Sequence, residues 1–179
     1  GQLMVLTYPL VGNYGVPPRT FEANGLATFM ESEKIHAEAI IVSDYSFEYS
    51  HWNAVESLGS WLKDEKVAGI YGIDTRELTK LLREKGSMKG KIVFDAADEI
   101  DFVDPNLINQ VDIVSCKEVI TYGNGSKKVV LVDCGVKHNI IRCLLKRDAY
   151  PGITTLPTWS TTDYLSVTVR ATRIPAKLR

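Results

Sequence analysis

Three cysteines and three histidines have the most scope for chemistry in this chain, and their spacing limits what they can do. Cys116, Cys134 and Cys143 include no CxxC pair, and His36, His51 and His138 are equally dispersed. That pattern suits reduced thiols better than a disulfide framework or a zinc site, so no metal ligand is assigned. Cys134 has the best position, at a turn between a strand and a helix, where a helix dipole lowers a thiol pKa. No histidine can be assigned as its base, and packed cysteines are the commoner case, so it is not taken as a nucleophile. The surrounding DCGVKHN turn, residues 133–139, invites phosphate at a helix N-terminus. It has one glycine, Gly135, where a dinucleotide fingerprint needs three, and Lys137 belongs to no GxxxxGK loop. A structural turn is the better account. His51-Trp52 can cap and pack as easily as bind, and Asp98, Glu99, Asp101 and Asp104 read as a solvated acidic loop rather than an acid/base pair. Nothing assembles a nucleophile, a base and an orienting group, so no catalytic, substrate-binding or metal-binding residue is assigned.

The elements that carry these residues follow from periodicity. Val129 to Val132 is an unbroken β-branched and aliphatic run, the pattern of a strand buried on both faces. Ile140, Ile141, Leu144 and Leu145 then mark one face of a helix over residues 139–147 with a basic end. Strand, turn and helix make the first half of a βαβ unit, which needs several neighbours before its sheet is covered. Upstream, strands are expected at residues 3–8, 37–42, 70–73 and 91–94, with a turn-rich stretch at 9–15 and a block on regular structure at Pro17-Pro18. A short helix is expected at 26–31, and an amphipathic one at 53–63 with Val55, Leu58, Trp61 and Leu62 on one side. The clearest helix starts at Asp74-Thr75, carries Leu78, Leu81 and Leu82, and stops at Gly86. Residues 95–112 are acidic and weakly periodic, and read mostly as loop. Residues 122–126 (YGNGS) form the natural domain boundary.

The 179 residues are 45% hydrophobic and 24% charged, with a net charge of −1. These values fit a water-soluble globular chain and give no electrostatic case for nucleic acid or an anionic membrane. No apolar run approaches a transmembrane helix, and nothing at the start reads as a signal peptide. Gly1-Gln2 leads straight into a strand, so the sequence reads as an internal fragment.

Four stretches, LTYPLVGNYGVP at residues 6–17, YGIDTRELTKLLREKGSMKGKI at 71–92, DFVDPN at 101–106 and VDCGVKHNIIRCLLKR at 132–147, resemble the small-subunit region of glutamine-hydrolysing carbamoyl-phosphate synthase. SHWNAVESLGSWL at 50–62 points to the eukaryotic fused type. The resemblance implies an α/β fold in two parts. Residues 1–126 would be a swivelling α/β N-terminal domain lacking its start, which packs against the synthetase. Residues 127–157 would open a flavodoxin-like class I glutamine amidotransferase domain. The family hydrolyses glutamine with a Cys, His and Glu and passes ammonia to a synthetase that makes carbamoyl phosphate from bicarbonate and ATP. In family order those three residues lie beyond Arg179, and a glutamine-contacting Ser lies before Gly1. The implied partner is the synthetase portion or large subunit; the chain itself needs no cofactor, while the synthetase uses ATP and a divalent cation. The implied compartment is the cytoplasm, or the mitochondrial matrix for the urea-cycle relative. The rival expectation is a non-catalytic interaction domain that binds the synthetase.

After Pro157 the resemblance stops. The family would continue with a strand and a GPGDP-type loop whose backbone helps form an oxyanion hole. The chain instead reads STTDYLSVTVRATR at residues 160–173, without a glycine to permit that close approach. This segment can be encoded by codons that, shifted by two bases, read YDGLFISNGPGDP. Residues 158–179 are therefore read as an out-of-frame tail. Sequencing the gene and transcript across Pro157 to Ser160 is expected to show the frame change; one uninterrupted frame encoding the tail would exclude it.

Overall fold

The structure is a computed structural model that describes residues 1–95, 99–123 and 129–146, and the backbone of 153–157. Its first sheet is parallel, with β1 (Gln2–Val5), β3 (Ala37–Ile41) and β5 (Ala68–Ile70) in the order β1-β3-β5. Val5 pairs with Ile41, and Ile41 with Ile70. A short parallel ribbon, β2 (Leu10–Val11) with β4 (Asp44–Tyr45), extends beyond the ends of β1 and β3. The crossover from β3 to β5 carries α1 (Leu58–Asp64), whose Leu62 packs with Ile40 and Val42 in a core flanked by Leu6, Leu58 and Val67. Parallel strands require such a crossover, and the helix covers the face that the aliphatic strand residues must bury.

Local chemistry sets where the helices start. The Ser57 hydroxyl accepts the Ser60 amide at 3.1 Å, which caps α1. The Asp74 carboxylate accepts the amides of Arg76 and Glu77 at 3.1 and 3.0 Å, opening α2 (Thr75–Lys85), and Gly86 closes it with φ 80°. Each cap satisfies amides that have no partner within the helix.

The second unit contains α3 (Gln110–Val114), β6 (Ile120–Tyr122), β7 (Val129–Asp133), α4 (His138–Lys146) and β8 (Ile153–Pro157). Its sheet order is β6-β8-β7, with β8 parallel to β7 and antiparallel to β6. The core under α4 joins Ile141 to Leu26, flanked by Tyr122, Leu131, Leu144 and Leu145. Leu26 comes from the far end of the sequence.

Five sequence expectations need correction. Residues 26–31 form no helix: the carbonyls of Ala27 and Met30 accept from the Arg142 guanidinium, both at 2.7 Å, instead of from amides one turn on. The second expected helix begins at Leu58 rather than Asn53, because the Val55 amide and the Glu56 carbonyl bridge to Val16. Residues 91–94 form no strand; their backbone has no paired neighbour among the described residues, and an isolated strand leaves its ladder unsatisfied. Within 95–112, Asp104 and Asn109 cap a 3₁₀ turn (Pro105–Leu107) and the start of α3, so that stretch is more ordered than its composition suggests. Finally, β7 is not buried on both faces: Val130 and Val132 are exposed while Val129 and Leu131 face inward. Most of the 122–126 boundary, Asp98 and residues 158–179 lie outside the described residues.

Leu62 is the side chain that joins α1 to the first sheet. Leu62→Ala is expected to cost about 2–5 kcal/mol by loss of burial plus a cavity. Urea denaturation followed by circular dichroism measures it, and a loss below half a kcal/mol would contradict the packing.

Candidate functional site

Three places bring polar groups together, beginning with the turn after β7. Asp133, the last residue of β7, is buried. One of its carboxylate oxygens accepts the amides of Gly135 and Val136, both at 2.8 Å, and the other accepts the Cys116 amide at 2.7 Å. Burial pushes this carboxyl pKa up, but the amides of Val136, Cys116 and Gly135 outweigh it and bring the net value below the ordinary one. Gly135 has φ 94°, and a Cβ there would lie 2.8 Å from Val114 of α3, so the position demands glycine. The nest that could receive a phosphate is thus filled by the chain's own anion.

The N-terminus of α4 is likewise occupied. The His138 amide donates to the Glu31 carbonyl at 3.0 Å and the Asn139 amide to the Glu31 carboxylate at 2.8 Å. Burial raises the Glu31 pKa, while the Asn139 amide and Arg142 lower it by more. Arg142 is itself buried, donating to the carbonyls of Ala27 and Met30 and to Glu31 at 3.1 Å. Cys134 is exposed and makes no hydrogen bond to a histidine. The amides of this turn and of the first two residues of α4 are thus engaged by Asp133 and Glu31.

The third place is a shallow crevice of about 480 Å³ at the carboxyl ends of β1, β3 and β5, lined by Thr7, Ser43, Asp44, Asp74, Thr75 and Arg76. Parallel sheets bind ligands at this edge. Here the first amides of α2 are engaged by Asp74, and the lining brings three hydroxyls, two carboxylates and one guanidinium to the edge.

Beside it is an aromatic platform. Phe47 stands edge-on to Tyr45 at 4.9 Å and to Tyr71 at 5.8 Å, and the Tyr45 hydroxyl accepts the Gly59 amide at 2.8 Å, which fixes it to α1. Phe47 is 69% exposed and Tyr71 59%. His51 lies against Tyr14 and against Trp52, which is 87% exposed.

The remaining candidates stay apart. His36 bonds Ser32, and the His51 ring accepts the Asn53 amide. Asp104 pairs with Lys89 at 2.7 Å, and that bond with those from Asn106 lowers its pKa. No cluster able to hold a metal ion occurs among the described residues. Reading the sequence alone missed Asp133, Glu31 and Arg142 as the residues that organise the turn. An Asp two residues before a Gly is a recognisable signal for the first; nothing local marks the other two.

A parallel three-stranded sheet with its crossover helix, followed by a second, mixed sheet, defines the class as an α/β protein. Residues 1–92 match the family described as carbamoyl-phosphate synthase small chain, CPSase domain, and the chain belongs to that family. It is 50% identical over 151 residues to human "Carbamoyl-phosphate synthase (ammonia), mitochondrial", covering 83% of this chain and 10% of that protein. It is 46% identical over 154 residues to the arginine-specific small chain of Saccharomyces cerevisiae, covering 83% of this chain and 38% of the other. It is also 46% identical over 167 residues to "Multifunctional protein CAD" of Squalus acanthias, covering 92% and 7%. The chain therefore spans only a small part of these relatives.

Asp133 gives a signed pH prediction. Its folded pKa lies below the unfolded value, so its contribution is present at neutral pH and is lost as pH falls through the folded pKa, below about 4. Asp133→Ala is expected to lose about 1–3 kcal/mol at pH 7, with the gap to the parent narrowing at pH 3. Equal gaps at both pH values in denaturant titrations would refute the charged-acceptor role.

Proposed function

We propose that this chain is part of a glutamine-dependent carbamoyl-phosphate synthase, contributing the N-terminal scaffold of its small-chain region and the opening strands of the amidotransferase domain. In that reading residues 1–126 form the swivelling domain, residues 127–157 begin the flavodoxin-like glutaminase, and residues 158–179 are an out-of-frame tail. The match over residues 1–92 carries the proposal. The arrangement of carboxylates agrees with it: Asp74, Asp104, Asp133 and Glu31 all hold backbone amides rather than face a nucleophile. The complete enzyme would hydrolyse glutamine and deliver ammonia to a synthetase using bicarbonate, ATP and a divalent cation, in pyrimidine or arginine and urea biosynthesis. The chain by itself would carry no catalytic or substrate-binding residue. A cytoplasmic site fits the pyrimidine branch, and the matrix fits the branch of the human mitochondrial relative. No helix among the described residues is long and apolar enough to cross a membrane.

The second reading, a non-catalytic domain that docks on the synthetase, is favoured by the exposed Phe47, Tyr71 and Trp52. Aromatic side chains of this kind supply most of the energy at protein interfaces.

Two measurements test these readings. The purified chain is expected to release no ammonia from glutamine, and steady turnover would overturn the assignment of no catalytic residues. Binding to isolated synthetase domains, followed by calorimetry, is expected to weaken roughly tenfold or more in Phe47→Ala or Tyr71→Ala. Unchanged affinity in both would remove the aromatic platform from the interface.

A further inference from the structure

Residues 22–31 precede β3 and belong by sequence to the first sheet, yet their one fully buried large side chain does not pack there. Leu26, 1% exposed, joins Ile141, also 1% exposed, beneath α4. On either side, the segment is anchored to α1. Arg19 pairs with Glu56 and Asp64, each at 3.1 Å, and the Ile35 amide reaches Glu65, the residue that closes α1, at 3.4 Å. Between these anchors the Thr28 amide donates to the Thr20 carbonyl at 2.9 Å, folding the segment into a narrow loop.

We propose that residues 22–31 are a strap coupling the two sheets: α4 keeps its N-terminal turn only while the strap is seated, and Arg142 is its fastening. The guanidinium holds the strap through two carbonyls and Glu31, while Glu31 holds the first two amides of α4. The helix is thus capped from outside its own strand–helix unit. Both of these N–H groups bond Glu31, so losing the strap removes the partner they have. The fastening is also one bond short of complete. Arg142 Nε is buried without a hydrogen bond, 3.5 Å from the Glu22 carboxylate, and His138 Nδ1 is likewise buried without one. A small shift of Glu22 toward α4 would close the fork, so the strap is poised to tighten. The charged and titratable groups at this junction are Glu22, Glu31, His138 and Arg142.

Hydrogen exchange read by mass spectrometry on the full chain tests the coupling. In Arg142→Lys, which cannot span two carbonyls and a carboxylate together, amides of residues 138–146 and 22–31 are expected to exchange at least tenfold faster. Amides of α2 should keep the parent rate. Glu31→Gln, which preserves shape, should show the same paired pattern at smaller amplitude and serves if the lysine variant folds poorly. In the double variant the rate increase should fall well below the product of the two single effects. Three outcomes would overturn the proposal: unchanged protection of α4, loss in α4 without loss in the strap, or equal loss in α2.

Discussion

A guanidinium removed from water governs how the two sheets sit together. Burying an unpaired charge costs several kcal/mol, and the cost is offset only when nearly every donor finds an acceptor. Arg142 meets that demand with groups more than a hundred residues away in sequence, the carbonyls of Ala27 and Met30 and the carboxylate of Glu31. That requirement fixes where the strap lies and why it is not helical. It also fixes where α4 starts, because the carboxylate that faces Arg142 is the one that caps the helix. The apolar contact between Leu26 and Ile141 then adds burial that is non-directional and could tolerate sliding. The charged contact removes that freedom.

Four carboxylates of this chain act on backbone amides. Asp74 opens α2, Asp104 the 3₁₀ turn, Asp133 the turn after β7, and Glu31 the last described helix. Each places an anion where the backbone has unpaired N–H groups, and each thereby removes a place where an external anion could sit. The outcome is that α2, the 3₁₀ turn and α4 each begin on a carboxylate of the chain itself. Apolar and aromatic side chains stay open around Phe47, Tyr71 and Trp52, and on the outer side of β7 at Val130 and Val132.

Local features were readable from the sequence wherever one element decided them. Asp74 before an apolar-periodic run and Gly86 after it mark α2 at both ends, and the aliphatic runs mark β3 and β7. Misreadings occurred where a distant partner decides the backbone. Residues 26–31 look helical until Arg142 takes their carbonyls, and residues 53–57 look helical until Val16 bridges to them. The aliphatic run of β7 predicts burial on both faces, whereas the described structure covers only the side under α4. For the site, the DCGVKHN turn has one glycine, and its amides are taken by a carboxylate of the same motif. The ion that replaces phosphate, Asp133, is in plain view in the same motif.

The strand order of the second sheet sets a timetable for synthesis. The three described strands of the first sheet have all been made by Ile70, so they can pair while the remainder is still being translated. In the second, β8 is last in sequence but lies between β6 and β7, touching both. Among the described residues, neither earlier strand has its partner until residues 153–157 leave the ribosome, and at about 5–20 residues per second that wait lasts seconds. During it, α4 can be held against Leu26 by the strap alone, a template that keeps β7 near its final place before its neighbour exists.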